Sequence, residues 1–254
     1  MKNKRQTRSR VKAETRDIID ETFIDPWDNP NPLKRVIKVK QFAWTDKQKE
    51  FFKIALNHDT KIVFVNGPAG TAKTLLSVYC GLQLLNMKAI SDIMYLRSAV
   101  ESSDSKLGYL PGTAEDKLRF YNMPFLDKLD ELLPNTRAEK LENEGRISMF
   151  PVNFARGMNW TNKCVILDEA QNSSMKEITT VLTRLGKGSR CFVLADPMQT
   201  DLKGNQACGG FESMFTTFSD PESIDKGVHT FNFTEDDIMR SELCKFVIKK
   251  LSRA

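Results

Sequence analysis

The sequence has no run of eighteen apolar residues, which leaves no candidate for a membrane-spanning helix. No apolar segment follows the basic N-terminus, so a secretory leader is not expected and a soluble, cytoplasmic protein is. Histidine is scarce: His58 and His229 stand too far apart in the chain to suggest a metal site. The five cysteines, Cys80, Cys164, Cys191, Cys208 and Cys244, form no C-x-x-C pair, and their odd number suits a reducing compartment. Cys164 and Cys191 fall in apolar runs and read as small buried hydrophobes rather than zinc ligands. Internal repeats and low-complexity tracts are also missing, which argues against a solenoid.

What is present is enough chain, 254 residues, for one sizeable α/β domain with its own core. The formal net charge of +5 is modest but concentrated at the front. Lys2, Lys4, Arg5, Arg8, Arg10, Lys12 and Arg16 face only Glu14 among acids up to that point. Such an arm suits electrostatic contact with nucleic acid; the alternative is a solvated tail that binds nothing. Pro26, Pro30 and Pro32, with Asn29 and Asn31, block regular structure nearby. Residues 1–32 are therefore expected to be a basic, disordered tail, and residues 33–254 the folded domain.

Thr45 is placed to cap a helix over 45–57, with Phe51, Phe52 and Ala55 on its apolar face. Strands are expected at 61–66, 92–96, 147–150, 164–167, 190–194 and 228–233. Further helices are expected at 74–85, 128–133, 137–144, 175–185, 211–218 and 237–251. A polar connection at 98–112 carries Gly108 and Pro111. Alternation of strand and helix implies a mostly parallel sheet with helices on both faces. The solid apolar run KIVFVN suits a strand covered on both sides. Ligands of such sheets bind beyond the carboxyl ends of the strands, so the loops after Asn66, Leu167 and Leu194 should converge.

The first of these loops is Gly67-Pro68-Ala69-Gly70-Thr71-Ala72-Lys73-Thr74. It follows a strand and opens a helix, as a phosphate-binding loop must. Glycines let backbone N–H groups wrap phosphates, the lysine reaches the β and γ phosphates, and the hydroxyl ligates Mg²⁺. ATP with Mg²⁺ is the expected ligand. Ala72 stands where the pattern calls for its second glycine; if the backbone there needs positive φ, the cost is on the order of 1 kcal/mol.

The second loop follows the apolar strand Cys164-Val165-Ile166-Leu167 and begins Asp168-Glu169. Asp168 is expected to hold Mg²⁺ and Glu169 to act as general base on the attacking water. Alone this could be an acid pair at a helix N-terminus; lying downstream of the phosphate loop, it is a much more specific signal. The third loop is Ala195-Asp196-Pro197-Met198-Gln199, where Gln199 can contact the γ-phosphate or the water; otherwise Asp-Pro marks a simple turn.

With these blocks in place the chain resembles the PhoH-like ATPases, a phosphate-starvation-associated family of P-loop proteins with a RecA- or helicase-like core. The resemblance rests on Gly67–Thr74, SDSKLGYLPGTAEDK (Ser103–Lys117), FARGMNW (Phe154–Trp160) and VILDEAQN (Val165–Asn172). LTRLGKGSR (Leu182–Arg190), ADPMQTDL (Ala195–Leu202) and FTEDDIMRSEL (Phe233–Leu243) complete it. It implies that Gln48, beside Thr45 and Lys47, contacts adenine, the alternative being an ordinary helix-start polar residue. It implies that Arg240 stabilises charge at the γ-phosphate, the alternative being a salt bridge to Glu235, Asp236 or Glu242. Arg97, Arg156 and Arg184 lie in family blocks and suit nucleic acid or a neighbouring subunit's nucleotide. The family usually has glycine where Ala72 and Ala195 stand, which bears on turnover more than on binding. No nuclease-like domain precedes the core, so ribonuclease activity is not expected. The implied function is an Mg-ATPase acting on single-stranded RNA or another nucleic acid as a helicase-like motor, in a homo-oligomer such as a ring. The rival is a nucleotide-gated RNA-binding or scaffold protein with negligible hydrolysis.

Overall fold

A computed structural model describes residues 31–97, 114–134, 138–155, 157, 159–200 and 210–251. The expected tail up to residue 30, the larger part of the Ser103–Lys117 block, Arg156, Asp201, Leu202 and Cys208 lie outside the described residues.

Thr45 caps α1 (Asp46–Ala55) in a reciprocal capping box with Gln48. Then come β1 (Ile62–Asn66), α2 (Lys73–Asn86) and β2 (Asp92–Arg97). After these follow α3 (Ala114–Leu132), α4 (Ala138–Asn143), β3 (Ile147–Pro151) and β4 (Lys163–Asp168). The chain continues through α5 (Met175–Leu182), β5 (Arg190–Ala195), α6 (Gly210–Thr217), α7 (Pro221–Asp225), β6 (Val228–Asn232) and α8 (Glu242–Leu251).

The six strands form one sheet in the order β3-β2-β4-β5-β1-β6. Every pairing is parallel, for example Asn66 opposite Ala195 and Arg97 opposite Asp168. Successive side chains of a strand alternate between two buried layers. Val63 and Val65 join the cluster under α1, α2 and α3, while Phe64 joins the cluster under α5 and α6. That is why the strand runs are apolar throughout. Phe51 anchors the first layer, 5.4 Å from Phe231 and 6.1 Å from Phe192 and Phe233 between ring centroids. Fully burying one such ring contributes about 1.5–3 kcal/mol. The thiols of Cys164 and Cys191 are buried, and desolvation pushes that of Cys164 up to about 12. None of the described helices is long and apolar enough to cross a membrane.

The sheet order creates the crevice. β1 and β5 are neighbours, yet α2 leaves β1 on one face and α6 packs on the other. Diverging connections at adjacent strand ends open the gap in which ligands of doubly wound sheets bind.

Two expectations differ from the structure. The helix expected at 128–133 is the last part of α3, which continues through Pro124. Proline removes a helical N–H and disfavours the turn before it, but Phe125, Leu129 and Leu132 are fully buried and hold the helix across it. The helix expected from 237 begins only at Glu242. Before it, Asp237 accepts hydrogen bonds from the N–H and hydroxyl of Thr234, and Met239 N–H donates to Gly70 O at 2.9 Å. Residues 238–240 are thus tied to the phosphate loop instead of entering the helix.

Candidate active site

The loop 67–74 joins β1 to α2 with Gly70 at φ +83° and Ala72 at φ 65°. Ala72 adopts the left-handed conformation that favours glycine, so the expected strain of about 1 kcal/mol is present. A Cβ on Gly70 would lie 2.8 Å from Arg240 Cγ, and one on Gly67 would lie 2.7 Å from Phe233 Cβ. Both glycines therefore admit the segment after β6 as well as leaving backbone free for a ligand. Lys73 Nζ donates to Gly67 O at 2.6 Å and Pro68 O at 3.0 Å. Burial draws the Lys73 ammonium below its ordinary pKa, opposed by the charges of Asp196, Asp168 and Glu169.

Asp168 ends β4 and is buried. Its Oδ2 accepts from Thr74 Oγ1 at 3.0 Å and from Tyr95 OH at 2.9 Å; its Oδ1 accepts from Glu169 N–H at 3.0 Å. Burial, and after it the Glu169 charge, push the Asp168 pKa up; the Tyr95 and Thr74 hydroxyls oppose the shift. Glu169 has φ 54°, a left-handed turn that swings its side chain out of the strand. Gln171 Nε2 donates to Glu169 Oε2 at 2.6 Å, and Arg97 Nη2 lies 3.8 Å from Glu169 Oε1. The same Gln171 amide accepts from Asp196 N–H at 3.1 Å and approaches Gln199 O at 3.4 Å. One buried amide thus ties the ends of β4 and β5 together.

These groups open on a cleft of about 450 Å³, within the range of small-molecule sites. Its lining includes Ala69, Gly70, Ala72, Lys73, Thr74, Asp168, Glu169, Gln199 and Arg240, which brings most of the sequence-derived candidates together. Gly67 and Pro68 supply the carbonyls that hold Lys73, and Thr71 anchors the loop through its hydroxyl to Pro68 O at 2.9 Å. Gln48 is not part of this lining: it is buried, and its Oε1 accepts from Thr45 N–H at 3.0 Å in the capping box. Arg240 is exposed at the cleft. Two of its alternative partners are engaged elsewhere, Asp236 with Lys249 and Glu242 with Lys245. Ala195 borders the cleft and packs into the second core layer. Arg184 lies outside the lining, at the end of α5.

Sequence reasoning missed Tyr95, Gln171, Lys128 and Glu131. Tyr95 fell within an expected strand and Lys128 and Glu131 within an expected helix, with nothing to set them apart, yet both charges line the cleft. Gln171 carried a faint signal, a polar residue two places after the acid pair.

Asp168 and Thr74 offer one carboxylate and one hydroxyl at 3.0 Å, and no cluster of three or more His, Cys, Asp or Glu exists among the described residues. That donor set fits Mg²⁺, which keeps several waters and takes the rest of its shell from phosphates. It does not suit zinc, which needs nitrogen or sulfur ligands in number.

A profile of the PhoH-like protein family matches residues 40–252. The chain belongs to this family. A PhoH-like protein of Synechocystis sp. is 34% identical over 212 residues, covering 84% of this chain and 62% of the relative. One from Bacillus subtilis is 32% identical over 219 residues, 86% of this chain and 65% of that one. PhoH of Escherichia coli is 32% identical over 187 residues, 73% of this chain and 51% of that protein. The chain thus spans one half to two thirds of these relatives. Among solved structures, unliganded Pif1 from Bacteroides sp. is similar with a TM-score of 0.37 and 16% identity, covering 82% of this chain and 44% of that one. The S. cerevisiae Hsp104-ADP complex gives 0.34 and 12%, covering 81% and 36%. This PhoH-like chain is an α/β protein with a six-stranded parallel sheet, and the loop 67–74 and the acid pair face one cleft.

Proposed function

We propose that this PhoH-like protein is a magnesium-dependent ATPase that acts on single-stranded RNA as a helicase-like motor within a homo-oligomer. The observation that carries the hydrolytic part is the meeting of Thr74 Oγ1 and Asp168 Oδ2 at 3.0 Å, from positions 94 residues apart. Lys73 and Glu169 share the same cleft.

In this reading the N–H groups of Gly67–Thr74 and the positive end of α2 cradle the phosphates. Lys73 leaves the Gly67 and Pro68 carbonyls to pair with the β and γ phosphates. Thr74 and Asp168 hold Mg²⁺, which offsets phosphate charge when bound. Glu169, oriented by Gln171, takes the proton of the attacking water. Gln199 touches the γ-phosphate or that water, and Arg240 faces the charge that develops there. Gln48, outside the cleft lining and engaged in the α1 cap, takes no part in this reading. The RNA part rests on the basic arm and on Arg97, Arg156 and Arg184; the oligomer rests on family resemblance.

A second reading, nucleotide-gated RNA binding with negligible hydrolysis, draws on one specific observation. Ala72 holds a strained φ of 65° beside the phosphates. Phosphate release from ATP, measured with and without Mg²⁺ and with and without single-stranded RNA or DNA, separates the two. The expected result is Mg-dependent release that rises with RNA and falls by about 10²–10⁴ in Glu169→Gln, which keeps its nucleotide affinity. No release under any condition leaves the gated-binding reading standing. Wild-type rates in Glu169→Gln remove Glu169 as the base.

A further inference from the structure

Tyr95 is a buried hydroxyl with a single destination. It lies in the middle of the apolar run of β2, fully inaccessible, among residues whose task is to fill the first core layer. A ring needed for shape alone would be phenylalanine; a buried tyrosine must also satisfy its O–H. Here the O–H donates to Asp168 Oδ2 at 2.9 Å, the same oxygen that accepts from Thr74. With Glu169 N–H on Oδ1, three donors surround the carboxylate, and Tyr95 belongs to neither the phosphate loop nor the acid pair.

The ring itself is immobilised. It stacks face to face on Phe125 of α3, with centroids 4.6 Å apart and planes 16° apart. Phe125 is also fully buried, and one turn further on α3 presents Lys128 to the cleft. The helix that walls the cleft therefore also clamps the tyrosine that holds the carboxylate. Hydrogen bonds from such outer partners orient ligating groups, and their loss costs roughly 10–100-fold in metal affinity.

We propose that Tyr95 is a positioning residue for Mg²⁺ binding: its hydroxyl, clamped by Phe125, fixes the orientation of the Asp168 carboxylate toward the cation. The Thr74 hydroxyl can offer an oxygen lone pair to a cation while still donating to Asp168, and Tyr95 is the second side-chain donor on that carboxylate, with no ligating role of its own. This rests on the reading of Asp168 as the magnesium carboxylate, and the test separates the two.

The experiment titrates Mg²⁺ into the full chain with a fluorescent ATP analogue and reads nucleotide binding, with no turnover needed. Wild type, Tyr95→Phe, Phe125→Leu and Asp168→Asn are compared, with thermal unfolding of each alongside. Tyr95→Phe keeps the ring and its stacking. It is expected to raise the Mg²⁺ concentration for half-maximal binding by about 10-fold or more, with unchanged affinity for the metal-free nucleotide. Phe125→Leu keeps the hydroxyl but loosens the ring, and is expected to give a smaller shift in the same direction. If Asp168→Asn abolishes the Mg²⁺ dependence while Tyr95→Phe titrates like wild type, the inference is wrong and the reading of Asp168 stands. If Tyr95→Phe weakens metal-free and metal-dependent binding by the same factor, Tyr95 is merely structural and the proposal fails. If wild type and Asp168→Asn bind the nucleotide without regard to Mg²⁺, the reading of Asp168 falls and the inference with it.

Discussion

Buried charge is treated in opposite ways at the two edges of the sheet. At the amino ends of the strands, Arg190 donates to the carbonyls of Asn57, Thr60 and His58, and Arg146 to those of Ser91 and Asn31, both at 2.7 Å. Lys163 meets both oxygens of Asp92 at 2.7 Å. Every one of these cations has fixed partners within the fold. At the carboxyl ends, Lys73 and Asp168 also bond within the chain, and burial draws them, like Arg190, toward their neutral forms, but both line an open cleft. The difference lies in the cleft: a charge closed in by its own chain staples the fold, while a desolvated charge that faces a cleft is placed to meet a ligand. A sequence shows both kinds simply as Lys, Arg or Asp.

The largest expected effect breaks the ligand-facing edge. Lys73→Ala should weaken ATP binding by about 100-fold or more, measured by titration with a fluorescent nucleotide, while the denaturation midpoint stays near wild type. Loss of stability without loss of binding would place Lys73 with the staples. The opposite edge should show the reverse pattern. Arg190→Met leaves three backbone carbonyls without their donor, at a cost of about 3 kcal/mol or more by chemical denaturation. ATP affinity per folded molecule should be unchanged. A drop in that affinity would show that the two edges are coupled through β5.

A pH series sharpens the same contrast. Burial raises the Asp168 pKa in the folded protein above its unfolded value. The unfolded chain thus gives up this proton first as pH rises. The stability linked to Asp168 is fully present below the usual carboxylate value and is lost as pH climbs through the raised one. The ligand-free wild type should therefore lose thermal stability over that interval, and Asp168→Asn should show a flatter profile. An identical slope in both proteins would mean that Asp168 is not held against its charge. The smallest effect concerns the loop. Ala72→Gly relieves a left-handed alanine worth up to about 1 kcal/mol, but adds unfolded-state entropy of similar size. A net stability change of a few tenths of a kcal/mol is expected by denaturant titration, and a loss beyond 1 kcal/mol would contradict a strained Ala72.

Much of the cleft at the carboxyl ends was legible because its residues obey short-range rules. The phosphate loop needs glycines and a Lys-Thr pair at fixed spacing, and the acid pair ends an apolar strand, so Lys73, Thr74, Asp168 and Glu169 could be read singly. Their convergence needed only the parallel alternation of strand and helix. The full length of α3 was hidden, because the burial of Phe125, Leu129 and Leu132 that carries the helix past Pro124 is recorded in no local pattern. The late start of α8 was equally hidden, since the Met239–Gly70 hydrogen bond joins segments far apart in the chain.

By itself, then, the sequence determined the fold class, the order of the elements and the residue types at the loop and acid pair. Those follow from periodicity and from residue types at fixed spacing. Tertiary structure alone decided that Tyr95 serves Asp168, that Gln171 ties Glu169 to the end of β5, and that Gly70 lies under Arg240. The physical reason is common to these cases. A hydroxyl, an amide or a missing Cβ has no preferred partner along the chain, and only the packing of distant segments selects one.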